Sequence, residues 1–356
     1  MRLSLRSSNM IEWLALRAGL VPAPAAEAWA GMALSGVLIA ATRLGLTERL
    51  AAAPATVDEL ATDLDLDPVA VRLLLDCLRS AGHVACHEDR DQQARYQLSR
   101  RSRRWLDPAS DLSVARFIAC NADYWAWWSD LSEVARARTP FGHHDAAPED
   151  PYWRRYVTGQ FELARLSAAE VAAKLRLPRD ARSVLDVGGG HGWYSAELCQ
   201  RHPRLAATVL DLPGSARIGR EIIARAGLAD RVRHCEGDAL TEDWGEDVAG
   251  GYDLVLCFNL IHHLDPAQVV GLLARLRGVL APGGCLAVMD AFAVPQRRSS
   301  AAANFLGMFV YLSSGAQAYT PAQLHEWLDA AGFAQPRKLP IRRIPGQALY
   351  QTTSRS

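Results

Sequence analysis

The chain has 356 residues, 49% of them apolar and 22% charged, and its 39 basic and 39 acidic side chains cancel. That length holds two ordinary domains, and the composition is that of a globular protein rather than a disordered or fibrous one. Neutrality argues against nucleic acid as the main partner, because phosphate binding leaves a basic excess.

The N-terminal segment mixes Glu12, Arg17 and Glu27 with its apolar residues, which interrupts any signal-peptide core. The uncharged run from Ala28 to Thr42 falls short of the ~20 residues that span a bilayer and is expected to form a buried helix. The seven cysteines, among them Cys77, Cys199 and Cys285, show no CxxC spacing and no even framework. They suit reduced, mostly buried thiols in the cytoplasm, with no metal site and no membrane partner.

From residue 56 the grammar is distinctive. Thr56 with Glu59 makes a capping box, and Asp67 with Pro68 opens a second helix carrying Val69, Leu73, Leu74 and Leu78 before Gly82 stops it. Residues 83–99 read as two short strands around a charged loop, which completes a helix-turn-helix with a wing. A DNA-reading helix offers several Arg, Lys, Asn or Gln to base edges. This one has Arg72 and Arg79 among leucines, so a dimerisation scaffold is favoured over a regulator. The basic run "RRSRRW" (100–105) reads as a solvated face.

Residues 117–161 are rich in aromatics. Trp125 and Trp128 are three apart, so a helix brings them together on one face. With Phe161, and with Phe305, Met308 and Phe309 from "NFLGMFVYL" (304–312), they are expected to line a pocket for a flat apolar substrate.

From Arg182 onward strands alternate with helices, which builds a doubly wound, mostly parallel α/β sheet with ligands over the carboxyl ends of its strands. Polar residues fall at those ends: Asp186, Asp211, Asp238, His262 and Asp290. The loop "GGGHG" (188–192) lets backbone approach a ligand closely. Asp211 follows Gly188 by 23 residues, where a carboxylate meets ribose hydroxyls in doubly wound folds. GGGHG departs from GxGxxG, which favours a ribose-bearing cofactor without a pyrophosphate.

"LDVGGGHG", "VLDLP", "GDAL" and "FNLIHHLDPAQ" together resemble the class I S-adenosylmethionine-dependent methyltransferases, in particular the small-molecule O-methyltransferases of secondary metabolism. The resemblance covers nearly the whole chain, and it implies a Rossmann-like catalytic domain, an N-terminal winged-helix domain that forms a homodimer, and S-adenosylmethionine as cofactor. The expected divisions are residues 1–110, a helical pocket region 111–178, and a catalytic domain 179–356, with the main boundary near 178. Residue by residue, the resemblance implies that Gly188 and Gly190 pack on the methionine part of the cofactor, that Asp211 binds ribose, and that Asp238 and Ala239 flank adenine. Asp186, Leu212, Phe258 and Asn259 complete the cofactor set.

His262 matches the family's general base and Asp290 the acid that orients it, while His191 and His263 have no assigned role. A phenol has a pKa of about 10 and histidine about 6.5, so proton transfer is uphill by about 5 kcal/mol, and an adjacent carboxylate narrows the gap. Where the family carries a second acid this chain has Ala318, so Gln317 or Tyr319 is a candidate substitute. The alternatives are C- or N-methylation, or methyltransferase-like chemistry without methyl transfer.

Overall fold

The computed structural model describes residues 9–89, 91–137, 139–142, 144–241, 244, 245, 248, 250–293, 301–344 and 346–355. They form two compact units, Met1–Ala122 and Asp123–Ser356. The first begins with α1 (Met10–Arg17), α2 (Ala23–Arg43) and α3 (Leu46–Ala52), followed by α4 (Val57–Leu64) and α5 (Pro68–Ser80). β1 (Val84–Glu88) and β2 (Ala94–Leu98) then pair antiparallel as the wing, and α6 (Arg100–Leu106) leads to α7 (Ala115–Ser129), which crosses into the second unit. The Thr56–Glu59 capping box and the Asp67 cap, whose side chain accepts the Ala70 N–H, fix both helix starts. Leu46, Leu50, Leu60, Val71, Leu75 and Leu78 form this unit's core. On α5, Arg72 and Arg79 both face Asp76 of the same helix.

The stretch expected as a buried helix is helical but not buried. It extends over 21 residues, and Ala41 is its one buried residue. Trp29 is 70% exposed and Met32 56%. Val37 and Leu38, near its end, pack on the core, while Leu34 further back is also exposed. By length and composition α2 also satisfies the requirement for crossing a membrane.

The second unit continues with α8 (Leu131–Ala137), α9 (Pro151–Arg165) and α10 (Ala168–Lys174), then alternates β3 (Ser183–Val187), α11 (Trp193–Arg201), β4 (Ala206–Asp211), α12 (Pro213–Arg225), β5 (Val232–Glu236) and β6 (Tyr252–Phe258). It ends with α13 (Pro266–Gly278), β7 (Leu280–Ala291), α14 (Ala301–Ser314), α15 (Pro321–Ala330), β8 (Arg337–Leu339) and β9 (Gln347–Thr353). The strand order is β5-β4-β3-β6-β7-β9-β8. The β3 to β7 pairings are parallel, and β9 runs antiparallel to both β7 and β8.

The boundary falls between Ala122 and Asp123, not near 178. The reason is packing: Ala164, Ala168, Val171 and Ala172 of α9 and α10 share one core with Val184, Val209 and Leu256 of the sheet. The strand order reverses at β3, which opens a crevice at the carboxyl ends of β3 and β6, the place where such sheets hold ligands.

Candidate active site

The crevice is a cavity of about 500 Å³, within the range of small-molecule sites. Its floor is the loop after β3. A Cβ on Gly189 would lie 2.5 Å from Asp186 Cγ and 2.7 Å from Val209 Cγ1, so the loop rests directly on the strand ends. Gly190 has φ +53, and a Cβ there would project towards Asp211 Oδ2 and Ser215 Oγ, 3.9 Å from each. Glycine leaves that space open as a cradle.

The polar side chains around the cradle are already committed to specific partners. Asp186 accepts a 2.7 Å bond from Ser195 Oγ. Asp211 accepts the Gly190 N–H through Oδ2 at 2.6 Å and the Leu212 N–H through Oδ1 at 2.8 Å. Asp238, just beyond β5, accepts the Leu240 N–H at 2.8 Å. Asn259 directly follows β6 at φ +53, and its Oδ1 accepts from Gln347 Nε2 at 2.7 Å. Asp186, Gly188, Gly190, Asp211, Leu212, Asp238, Ala239, Phe258 and Asn259, the set singled out in the sequence, all line this one cavity.

Burial raises the Asp186 carboxyl to about 7, helped by nearby Asp211, and raises Asp211 to about 6. Both protons are therefore held more tightly folded than unfolded, so the stability they contribute is lost as pH rises through about 6 to 7. Burial also lowers His144 and His234 to about 4 and His191 to about 3, which works in the opposite direction below the ordinary histidine range. The carboxyl effect is therefore read as a difference. The thermal midpoint of the ligand-free wild type relative to Asp186→Asn falls as pH is raised from about 5 to 8, and parallel curves would contradict the assignment.

A 3-10 turn, Ile261–His263, follows β6 and presents two imidazoles. His262 Nδ1 lies 2.5 Å from Asp290 Oδ1, with both side chains largely shielded from solvent. His263 lines the cavity, its ring centroid 4.1 Å from that of His262 and 4.8 Å from that of His144. His144 comes from the loop before α9 and also lines the cavity, with its ring stacked near Trp153. His191 caps a helix: its Nδ1 accepts the Trp193 N–H at 3.0 Å at the start of α11.

The residues expected as a substrate wall lie outside the lining of this cavity. Trp125 and Trp128 on α7 and Phe305 and Met308 on α14 are exposed, at 41%, 38%, 55% and 41%. Phe309 packs against Tyr124 and Trp127, and Phe161 against Trp193 beneath the Arg165 guanidinium. None of these six is among the residues lining the cavity, whose aromatic wall is Trp153 and Tyr156 of α9 with Tyr194 and Phe258. Trp153, Tyr156, Val157 and Gln160 follow the i, i+3, i+4, i+7 spacing of one helical face, a signal present in the sequence. The second acid has no stand-in at 317 or 319. The Tyr319 hydroxyl donates to the Leu264 carbonyl at 2.6 Å, and Gln317 is exposed.

Two family models match the chain: an O-methyltransferase domain over residues 135–334 and an O-methyltransferase dimerisation domain over 27–108. A 3-hydroxy-5-methyl-1-naphthoate 3-O-methyltransferase of Streptomyces sahachiroi is 27% identical, over 86% of this chain and 88% of that protein. The tetracenomycin polyketide synthesis 8-O-methyl transferase TcmO of Streptomyces glaucescens is 29% identical, over 85% and 88%. The crystal structure of human N-acetylserotonin methyltransferase in complex with SAM superposes with a TM-score of 0.82 at 19% identity, covering 99% of this chain and 100% of that one.

Proposed function

The chain belongs to the O-methyltransferase family, and from that premise we propose that it methylates a hydroxyl of an aromatic or polycyclic secondary metabolite with S-adenosylmethionine. The observation that carries the reading is the convergence of four strand ends, β3 to β6, on one cavity beside the His262–Asp290 pair. The naphthoate and tetracenomycin enzymes among the relatives support an aromatic acceptor.

The residues present fit the cofactor. The open cradle at Gly190 accepts the methionine part without a Cβ in the way, Asp211 offers carboxylate oxygens to the ribose, and Asp238 and Ala239 flank the adenine. When bound, S-adenosylmethionine supplies a methyl group on a positively charged sulfur, and transfer is an in-line displacement. The protein's share is alignment and removal of one proton. Trp153, Tyr156 and His144 offer a wall for a flat acceptor, and holding the acceptor oxygen in line supplies several kcal/mol of the barrier.

His262 is the proposed general base. Its Nδ1 is committed to Asp290, so Nε2 takes the proton from the acceptor hydroxyl while the carboxylate stabilises the charge left on the ring. Acceptor-dependent formation of S-adenosylhomocysteine tests the reaction.

The dimerisation domain explains the bare face of α2. The proposal is that a second copy of the chain covers Trp29 and Met32. Sedimentation then gives twice the chain mass, and Trp29→Glu with Met32→Glu shifts the protein to monomer. A wild type monomeric at micromolar concentration would contradict it.

A further inference from the structure

We propose that His234 is a positioning residue for the cofactor, holding the glycine loop in its binding geometry from outside the cavity. The inference rests on the S-adenosylmethionine reading above. His234 lies on β5 and is buried, and its Nε2 is 3.0 Å from the Gly190 carbonyl oxygen. A carbonyl only accepts, so Nε2 carries the ring proton. Nδ1 is buried without a hydrogen-bond partner among the described residues.

The neighbouring elements leave room for this ring. A Cβ on Gly219 of α12 would collide with both Nε2 and the Gly190 carbonyl oxygen, and one on Gly192 would come within 2.9 Å of Cε1. Gly190 is thereby gripped at both ends: its N–H donates to Asp211 Oδ2 at 2.6 Å, and its C=O receives His234. The ring therefore acts on the ribose carboxylate through a single residue, without lining the cavity itself. Burial keeps the imidazole uncharged near neutral pH, so the ring carries a single proton there and the Gly190 carbonyl holds it on Nε2. A buried carbonyl without a donor is costly, and His234 supplies the donor to the Gly190 carbonyl.

The test is titration calorimetry of S-adenosylhomocysteine with the full chain, alongside thermal unfolding of each ligand-free variant. His234→Leu and Gly219→Ala are expected to weaken affinity by about 10-fold or more, while His234→Gln, which keeps a donor, stays within about fivefold of wild type. Wild-type affinity in both His234→Leu and Gly219→Ala would overturn the proposal, as would a fall in thermal midpoint with affinity unchanged, the mark of a purely structural role. A wild type that does not bind the probe would instead overturn the family-based cofactor reading. A measurement free of variants guards against misfolding: nitrogen NMR of histidine-labelled wild type is expected to show the Nε2–H tautomer at His234, and the Nδ1–H tautomer would overturn the assignment.

Discussion

His262→Ala is expected to lower kcat by about 100-fold or more while leaving the Kd for S-adenosylhomocysteine within about threefold. The first half follows from the chemistry: with the ring gone, Asp290 remains but has no imidazole to orient, and the acceptor hydroxyl loses its proton to water. The second half follows from the geometry, because His262 is not among the side chains lining the cavity with Asp186, Asp211 and Asp238. Some activity survives, since alignment in a closed site contributes independently of the base. His263→Ala provides the internal control. That residue is on the same 3-10 turn and on the cavity wall, so its loss is expected to raise the KM for the acceptor more than it lowers kcat. Full activity in His262→Ala, with the large kcat loss moving to His263→Ala, would transfer the base to the neighbouring ring.

Asp211→Ala is the second large effect, and it falls on binding. The carboxylate holds the N–H groups of Gly190 and Leu212 and is proposed to accept ribose hydroxyls as well. Removing it leaves buried donors unpaired at about 1–3 kcal/mol each and deletes hydrogen bonds to a charged group worth about 1.5–3 kcal/mol each. Affinity for S-adenosylhomocysteine should fall by about 100-fold or more. Asp211→Asn retains one acceptor oxygen and is expected to lose less. An unchanged Kd in Asp211→Ala would remove the ribose role.

That the proposed cofactor residues gather at one cavity was legible in the sequence, because they obey a rule of topology. Asp186, Asp211 and Phe258 each end an apolar run that becomes a parallel strand, and the carboxyl ends of parallel strands meet along one edge. Glycine spacing and capping residues such as Thr56 and Asp67 are equally local, so loops and helix starts followed from them.

The aromatic residues expected to line a pocket fall outside this cavity's lining, because helical spacing identifies an apolar face without saying what it faces. α7 carries Tyr124, Trp125, Trp127 and Trp128 on more than one side; Tyr124 and Trp127 pack closest to Phe309 of α14, with Trp128 more distant at 6.5 Å. Trp125 and Trp128 are left exposed. His144 belongs to a loop, where no periodicity marks a residue that tertiary contacts will carry to a cavity wall. The short strands β8 and β9 are defined by their pairing with each other and with β7, a long-range contact that local pattern does not encode. The same holds for α2, whose apolar composition does not encode which surface would cover it.

The central claim, methyl transfer to oxygen, is tested most directly by following the methyl carbon. Wild-type protein is incubated with methyl-labelled S-adenosylmethionine and a panel of hydroxylated naphthoates and polycyclic phenols, and the position of the label in the product is read by NMR. The label is expected in an aryl methyl ether, formed one for one with S-adenosylhomocysteine and formed far more slowly by His262→Ala. Label on carbon or nitrogen, or a protein that binds S-adenosylhomocysteine yet transfers no methyl group to any hydroxyl in the panel, would contradict it.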